Sequence, residues 1–195
     1  MDSSRKAVSQ EAIQEEWLAI QAAQKNPALF RPLYTQYYPP IFRFILRRTA
    51  DEDLTADLCS KVFLKALQRL GSYKFKGVPF SAWLYRIATN EISQHFRNEQ
   101  KNRVVSIEEH NFVDLVEEMK ESNTEIYRNA LIHALDELKE QDVSIIEMRF
   151  FEQRPFKEIA DILEITESNA KVRTYRILDR LRKIIIKKSE QGQAR

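Results

Sequence analysis

The chain has 195 residues, of which 31 are Lys or Arg, 29 are Asp or Glu, and only three are Gly. So few glycines leave little material for the tight turns of a β-rich protein, and the composition favours an all-α fold of one large or two small domains. A formal net charge of +2 excludes a bulk polycation. Any affinity for nucleic acid must therefore come from local segregation of charge.

The single cysteine and the lack of long apolar runs bear on the compartment. Cys59 is the only thiol, which excludes an intramolecular disulfide, and its apolar helical setting indicates a buried, inert side chain in a reducing environment. No uninterrupted apolar run approaches the ~18 residues needed to cross a bilayer. The first residues also lack an apolar core of the signal-peptide type. We therefore expect a cytoplasmic protein with no direct membrane insertion.

A first helical domain is predicted over residues 10–100. Residues 11–24 have an amphipathic pattern, Asn26-Pro27 restarts the chain as a new helix, and Pro39-Pro40 marks another break. A further helix follows over residues 51–70, acidic at its start and basic toward its end, as suits the helix dipole. Its predicted core stripe comprises Leu54, Leu58, Val62, Phe63, Ala66, Leu67 and Leu70.

A loop and one more helix complete this domain. Gly71-Ser72 ends the preceding helix, and the loop after it leads into residues 80–98. There the apolar side chains recur at helical spacing, as Phe80, Trp83, Leu84, Ile87, Ala88, Ile92 and Phe96. Between Leu58 and Asn90 the sequence contains Lys and Arg but no Asp or Glu. This segment is a local basic region in a nearly neutral chain.

The sign of the charge then reverses. From Val104 to Glu125 there are seven acidic residues against one strong base, Lys120. Residues 101–123 show no long clean helical period, so we predict a flexible acidic linker that tethers two small domains rather than fusing them. The second domain is predicted over residues 124–188.

Two short helices around a tight connection are predicted over residues 155–183. Pro155 can lie in the first turn of the first helix, whose inward apolar face comprises Phe156, Ile159, Ala160, Ile162 and Leu163. Thr166 is a good N-cap for the second helix, since its hydroxyl can accept a hydrogen bond from an amide near Asn169. The buried stripe of that second helix comprises Ala170, Thr174, Ile177, Leu181 and Ile184.

The opposite side of the second helix carries three basic residues and one acidic residue. It comprises Ser168, Lys171, Val172, Tyr175, Arg176, Asp179 and Lys183. A positive helix that follows a capped turn and a supporting helix is typical of a helix-turn-helix, whose second helix fits the DNA major groove. An ordinary solvated amphipathic helix is the alternative explanation of the charge. The cap, the turn and the helix pair together favour DNA binding.

Two stretches of the chain resemble a known family. The stretch from residue 33 to residue 90, above all its end FSAWLYRIATN, resembles region 2 of bacterial RNA polymerase sigma factors of the extracytoplasmic-function group, within the sigma-70 family. Residues 134–184 resemble region 4 of the same group. The resemblance implies a protein that binds core RNA polymerase, recognises −10 and −35 promoter elements and promotes DNA melting. It also implies no catalytic residue, no metal and no cofactor.

By this resemblance, the loop over residues 72–80 and the start of the helix after it bind the upstream −10 element. A protein that opens a promoter must hold an expelled base and grip the exposed strand, which calls for aromatic or amide groups beside cations. The candidates are Tyr73, Lys74, Phe75, Lys76, Asn90, Ser93, Gln94 and Arg97. Asn90 is the strongest, because a helical amide can make paired hydrogen bonds to a base. The alternative is that Tyr73 and Phe75 pack on the domain while the lysines are solvated.

The resemblance further implies that the exposed face of the 51–70 helix docks on core RNA polymerase. The candidate contacts are Asp53, Asp57, Lys61, Lys65 and Gln68. A plain solvated face is the alternative. Ser60-Lys61 stand where a Gln-Glu pair is common in the family, so the contact chemistry departs from the family pattern.

In the second domain, the positions that match −35-binding residues of the family are Arg149, Ser168, Lys171, Val172, Arg173, Tyr175, Arg176 and Arg180. Lys171 and Arg176 can pair with guanine edges, and Tyr175 can contact a thymine methyl or a phosphate. Arg173, Arg180 and Lys183 are better suited to phosphates. Residues 167–170 replace the common Val-Gly-Thr-Val with Glu-Ser-Asn-Ala, which implies a changed −35 preference.

The resemblance also bears on partners. It places the acidic linker in the RNA-exit path of the polymerase, as a competitor of nascent RNA, and solubilising disorder is the alternative. Many relatives are held by an anti-sigma factor, which is a further candidate partner. The free chain is expected to be a monomer.

Two other classes of function fit part of the sequence. A stand-alone helix-turn-helix regulator would use the same second domain, but it would need to dimerise to bind two half-sites. A helical enzyme is the other alternative. It is disfavoured because His95, His110 and His133 are scattered and the chain has no HExxH motif, paired cysteines or glycine-rich phosphate loop.

Overall fold

The computed structural model describes residues 8–99, 131, 134–135 and 137–193. Within these residues the chain is helical and has no strand, which confirms the all-α prediction. The helices are α1 (Gln10–Lys25), α2 (Arg31–Thr49), α3 (Glu52–Arg69), α4 (Phe80–Glu99), α5 (Glu140–Ile146), α6 (Phe156–Leu163) and α7 (Glu167–Gln193). The predicted acidic linker, residues 101–123, lies outside the described residues. In the described ranges, no helix combines the length and apolarity needed to span a membrane.

Short polar side chains set where the helices begin. Ser9 Oγ accepts a hydrogen bond from the Ala12 amide at 3.2 Å, and an Asp51 carboxylate oxygen accepts one from the Leu54 amide at 3.0 Å. Thr166 Oγ1 accepts from the Asn169 amide at 3.2 Å, which confirms the predicted cap of α7. Each side chain satisfies an amide that has no partner inside its helix.

The predicted helix break at Pro39-Pro40 is wrong, because both prolines lie inside the continuous helix α2. Two consecutive prolines remove the donors that would bond the carbonyls of residues 35 and 36. Thr35 and Gln36 are exposed, so water can reach those carbonyls. Buried residues on both sides of the prolines, Leu33 and Ile41, hold the helix against the core. Packing outweighs the local cost of the prolines.

Helix α3 lies between α2 and α4, and this position shifts its buried face from the predicted one. Leu67 was expected in the core but is 39% exposed, and Leu54 is only half-buried. Thr55 and Cys59, on the side that faces the two neighbouring helices, are fully buried. The other members of the predicted stripe are buried as expected.

The two domains pack directly against each other, which the linker pattern did not predict. Helix α6 lies on α4. Met148, Phe156, Ile159, Ile162 and Ala170 of the second domain join the apolar cluster of the first domain. A separate cluster, which includes Leu138, Phe150 and Leu181, forms the second domain's own core. The first domain therefore completes its core with residues from the second.

A π-helical segment over Glu147–Phe151 divides its side chains between the two cores. The Glu152 amide donates to the Glu147 carbonyl at 2.8 Å, across the wider turn of a π-helix. Met148 packs in the first cluster, whereas Phe150 and Phe151 pack in the second. The wider turn thus presents neighbouring residues to opposite sides.

Burial should make the single thiol a reporter of folding. Cys59 is fully buried, and burial raises the pKa of its thiol to about 12, so the reactive thiolate forms only at strongly alkaline pH. At pH 8, a disulfide reagent such as dithionitrobenzoate should label the native chain at least on the order of a hundredfold more slowly than the urea-unfolded chain. Rapid labelling of the native chain would show that this core is open.

Candidate nucleic-acid interface

Helix α7 presents an exposed polar face at its first turns. A tight turn precedes it, in which Glu164 has a positive φ of 55° and the Ile165 amide donates to the Ala160 carbonyl at 3.0 Å. The predicted buried stripe is confirmed at Ala170, Thr174, Ile177 and Leu181, and Ile185 is more deeply buried than Ile184. The predicted outward residues are all exposed: Ser168, Lys171, Val172, Tyr175, Arg176, Asp179 and Lys183. The tight turn orients α7 so that this face remains exposed to solvent.

Two further arginines of α7 are engaged within the second domain. Arg173 Nη2 and Arg180 Nη1 contact the two carboxylate oxygens of Asp142, at 2.9 and 3.1 Å. Asp142 is only 8% exposed, so these pairs fasten α7 to α5. Asp142 therefore partly neutralises both arginines, whereas the outward Lys183 pairs with Asp179 on its own helix, at 2.9 Å.

Arg149 lies away from the exposed face of α7. It is 8% exposed, its guanidinium stands 4.2 Å from the centre of the Phe156 ring, and Nη1 donates to the Arg154 carbonyl at 3.3 Å. A cation over an aromatic ring is stabilising when both are shielded from water. In this structure Arg149 supports the start of α6.

The loop between α3 and α4 holds two aromatic residues in different settings. Tyr73 is half-buried against Trp83 and Phe80, with ring centroids at 4.8 and 5.3 Å. Burial raises the pKa of Tyr73 to about 12, so its phenol stays protonated at neutral pH. Phe75 is 37% exposed and stacks on Trp17 of α1. The packing alternative therefore describes Tyr73 better than Phe75.

The polar side of α4 faces a cleft between the two domains. Asn90, Gln94 and Arg97 are exposed, whereas Ser93 is half-buried and its hydroxyl donates to a carboxylate oxygen of Glu140. The cleft has a volume of about 980 Å³. Residues from both domains line it, among them Asn90, Ser93, Arg97, Glu140 and Arg173. The predicted −10 residues of α4 therefore lie beside the second domain.

A buried ion pair joins the two domains. Arg48 of α2 and Glu147 of the π-helical segment are 0% and 2% exposed, with Arg48 Nε 2.6 Å from Glu147 Oε2. Arg48 Nη2 also donates to Ser144 Oγ at 3.0 Å. A buried charge is tolerated only when it is paired and hydrogen-bonded, so this contact depends on both domains.

Further polar contacts between the domains surround the buried pair. Glu152 accepts hydrogen bonds from Arg47 and Tyr85. Asp161 of α6 contacts Lys76 at 3.0 Å and Arg86 at 2.6 Å, so an acidic group of the second domain covers a predicted DNA-binding lysine. Other contacts between the domains join Arg154 to Ser81, Lys157 to the Gly77 carbonyl, and Arg86 to Glu164.

The exposed face of α3 combines charged and apolar side chains. Asp53, Asp57, Lys61 and Gln68 are exposed, whereas Lys65 is half-buried and paired with Glu91 of α4. Leu64 is 56% exposed on the same helix, and Leu67 adds further exposed apolar area. Neither leucine was predicted as a surface residue. Both leucines fall outside the helical stripe of Cys59, Val62 and Ala66, and this spacing was the sequence signal that they are exposed.

Sequence comparison assigns both domains. Residues 33–102 match the family profile of Sigma-70 region 2, and residues 134–183 match that of Sigma-70, region 4. The chain belongs to the extracytoplasmic-function group of sigma-70 factors. This confirms the family inferred from the sequence. A sigma factor is a DNA-binding transcription initiation factor and not an enzyme.

Individual relatives are similar over most of this sigma factor. The ECF RNA polymerase sigma factor BldN of Streptomyces coelicolor is 29% identical over 169 residues, 85% of this chain and 64% of BldN. The chain thus spans less than two thirds of that relative. The sigma factor YlaC of Bacillus subtilis is 29% identical over 163 residues, 82% of this chain and 93% of YlaC.

A solved structure shares the fold. The sigma factor RpoE of Bartonella quintana, in complex with the anti-sigma factor NepR, has a TM-score of 0.54 at 18% identity. The match covers 80% of this sigma factor and 96% of RpoE.

Removing one side of the buried ion pair should separate the domains of this sigma factor. In the closed arrangement, in which the two domains pack against each other, Glu147→Ala leaves Arg48 without its carboxylate. Such a loss typically costs about 3 to 5 kcal/mol. Separation restores water to Arg48, so the variant should adopt an expanded form with an increased radius of gyration in small-angle X-ray scattering. Glu15→Ala, an exposed change on α1, is the control. Scattering curves that superimpose for all three chains would contradict the prediction.

Proposed function

We propose that this sigma factor binds core RNA polymerase in the cytoplasm, recognises the −10 and −35 promoter elements with its two domains, and promotes DNA melting. The observation that carries the proposal is the outward face of α7, which stands exposed on a capped helix-turn-helix. A helix of this kind fits the major groove of B-DNA, where base edges can be distinguished. The free chain acts as a monomer.

In the −35 complex, the outward residues of α7 contact base edges. Lys171 and Arg176 suit guanine, Tyr175 suits a thymine methyl or a phosphate, and Ser168 and Val172 lie beside them. Arg173 and Arg180 bind phosphates, because the single negative charge of Asp142 does not neutralise both arginines. Arg149 reaches DNA only after leaving the ring of Phe156.

In the −10 complex, the loop and α4 bind the exposed strand. Phe75 offers a partly exposed ring for base stacking, Lys74 and Lys76 are its neighbours in sequence, and Trp17 stacks on the ring from the protein side. Tyr73 contributes from its packed position against Trp83. Asn90 supplies an amide for a base edge. Ser93, Gln94 and Arg97 continue the polar surface along α4.

The exposed face of α3 docks on core RNA polymerase. Leu64 and Leu67 provide apolar area at its centre, which the charged candidates alone would not provide. Asp53, Asp57, Lys61 and Gln68 surround the leucines, and Lys65 contributes from its pair with Glu91. Interfaces that combine an apolar centre with a polar rim bind specifically.

The two domains separate when this sigma factor binds a promoter. The elements are named for positions about 25 base pairs apart, which corresponds to about 85 Å of B-form DNA at ~3.4 Å per base pair. In the closed arrangement, Asn90 and Arg173 line one cleft of about 980 Å³. The −10 and −35 surfaces therefore cannot contact their elements together.

The separated Glu147→Ala variant should bind a −10 single strand more readily than the wild type in the absence of polymerase.

An anti-sigma factor is a further candidate partner. RpoE, which shares the fold, was solved in complex with the anti-sigma factor NepR. A protein that binds both domains in the closed arrangement would keep the −10 surface covered.

Reconstitution tests the proposed function. The purified chain and bacterial core RNA polymerase should together give promoter-specific transcripts from a promoter library, with a −10 and a −35 element enriched among the active templates. Core polymerase alone is the control. A chain that does not associate with core polymerase, or that adds no transcript, would contradict the proposal.

Arg176 provides the sharpest test of the −35 assignment. Arg176→Ala should weaken holoenzyme binding to the selected promoter by about 1 to 3 kcal/mol, and the loss should depend on the −35 sequence because Arg176 contacts a base edge. Lys183→Ala, at a position suited to phosphate contact, should cause a smaller and uniform loss across −35 variants. Competition binding with a set of −35 variants measures both. An unchanged base preference in Arg176→Ala would refute the assignment.

A further inference from the structure

Helix α1 lies outside both family matches, since the region 2 match begins at residue 33. Ile13, Ile20 and Ala23 seat it on the first domain, each with 4% exposure or less. Glu16, Trp17 and Gln24 of the same helix are half-buried, and Trp17 packs against the edge of the apolar cluster that includes Ile20. They reach the loop over residues 73–79 that is proposed to bind the −10 strand.

Two polar side chains of α1 hold the two ends of this loop. Gln24 Nε2 donates to the carbonyls of Leu70 and Tyr73, both at 2.9 Å. Glu16 Oε2 accepts from the Phe80 amide, the first of α4, at 2.7 Å. The other carboxylate oxygen of Glu16 accepts from the Tyr37 hydroxyl, which fixes its orientation. One helix thus determines where the loop leaves α3 and where it enters α4.

An aromatic side chain of α1 holds the middle of the loop. The Trp17 ring stacks on Phe75, with centroids 5.5 Å apart and an interplanar angle of 24°, and it also contacts Tyr73 at 6.2 Å. Phe75 nevertheless keeps 37% of its surface exposed. Trp17 therefore supports Phe75 and leaves part of the ring accessible.

Within the first domain, the loop is also held by Val78, which is 5% exposed, and by the packing of Tyr73 on Trp83 and Phe80. Among the described residues, the backbone from residue 74 to residue 78 makes no hydrogen bond to another backbone group. Its contacts on the other side, Lys157 with Gly77 and Asp161 with Lys76, come from the second domain. Those contacts are lost when the domains separate, whereas the contacts with α1 lie within the first domain and remain.

We propose that α1 is a positioning element for the −10 loop, in which Trp17 and Gln24 hold Phe75 and its neighbours in the shape that accepts an expelled base. The inference rests on the proposed function, because it assigns a role to a loop that binds the −10 strand. A loop already fixed in its bound shape loses less conformational entropy when the strand arrives. The aromatic pair also gives the base a rigid surface on which to stack.

The test uses full-length chains assembled with core RNA polymerase. The probe is a single-stranded oligonucleotide that carries the −10 sequence selected by the wild-type holoenzyme. Trp17→Ala and Gln24→Met should each weaken oligonucleotide binding by about two- to tenfold, since each removes a modest aromatic or hydrogen-bonding contact. Trp17→Phe should restore most of the binding. Leu18→Ala, at a 60% exposed position of the same helix, is the matched control.

A base scan of the oligonucleotide separates positioning from general stability. The loss in Trp17→Ala and Gln24→Met should concentrate at one −10 position, with affinity for core polymerase and the thermal unfolding midpoint close to wild type. Should Trp17→Ala fail to fold, Gln24→Met and Trp17→Phe still decide the question.

The outcomes distinguish a failure of the role proposed for α1 from a failure of the proposed function. A wild-type holoenzyme that does not bind the oligonucleotide contradicts the proposed function. A wild-type holoenzyme that binds, together with Trp17 and Gln24 variants that bind equally well, overturns the role of α1 alone. A uniform loss across all base positions also overturns it, since that result indicates a structural role.

Discussion

The arrangement of this sigma factor depends on a charge pair that neither domain can satisfy alone. Arg48 lies at the end of α2 with almost no exposure, and Glu147 lies in an apolar stretch of the second domain. Transfer of each ion from water is costly, and their mutual attraction compensates only when the geometry is good and other polar partners are present. Ser144 supplies one such partner, and the Phe44 ring lies 5.5 Å from the guanidinium carbon. The pair therefore specifies one orientation of the domains.

Acidic groups of the second domain contact residues that are proposed to bind the −10 strand. Asp161 contacts Lys76, and Glu140 accepts from Ser93, both on the surface proposed for the −10 strand. The closed arrangement thus already engages, through Asp161 and Glu140, groups that are proposed to contact DNA. The −35 face of α7 is not covered in this way, because its outward residues remain exposed. The two promoter-binding surfaces differ in how available they are before the domains part.

Local patterns predicted the elements well, and contacts between distant residues were not predictable from them. Helical spacing and the Thr166 hydroxyl were sufficient to locate α6 and α7, because both signals arise within a few residues of each other. Pro39-Pro40 misled because tertiary packing outweighed propensity. The contact between Arg48 and Glu147 joins residues 99 positions apart, and no local period records it. Glu147 does stand out as a charge between the apolar Ile146 and Met148, whereas Arg48 directly follows Arg47 and carries no comparable local signal.

The apolar cluster that spans both domains has a consequence for measured affinities. Met148, Ile159 and Ile162 have 2% exposure or less because the first domain covers them, so parting the domains transfers their surface to water. For a contact that requires the domains to part, as proposed for the −10 strand, the dissociation constant of the free chain is raised in inverse proportion to the population of the separated conformer. Affinity of the intact protein for such a strand accordingly underestimates the intrinsic strength of that one surface, whereas the faces of α3 and α7 that are already exposed carry no such penalty.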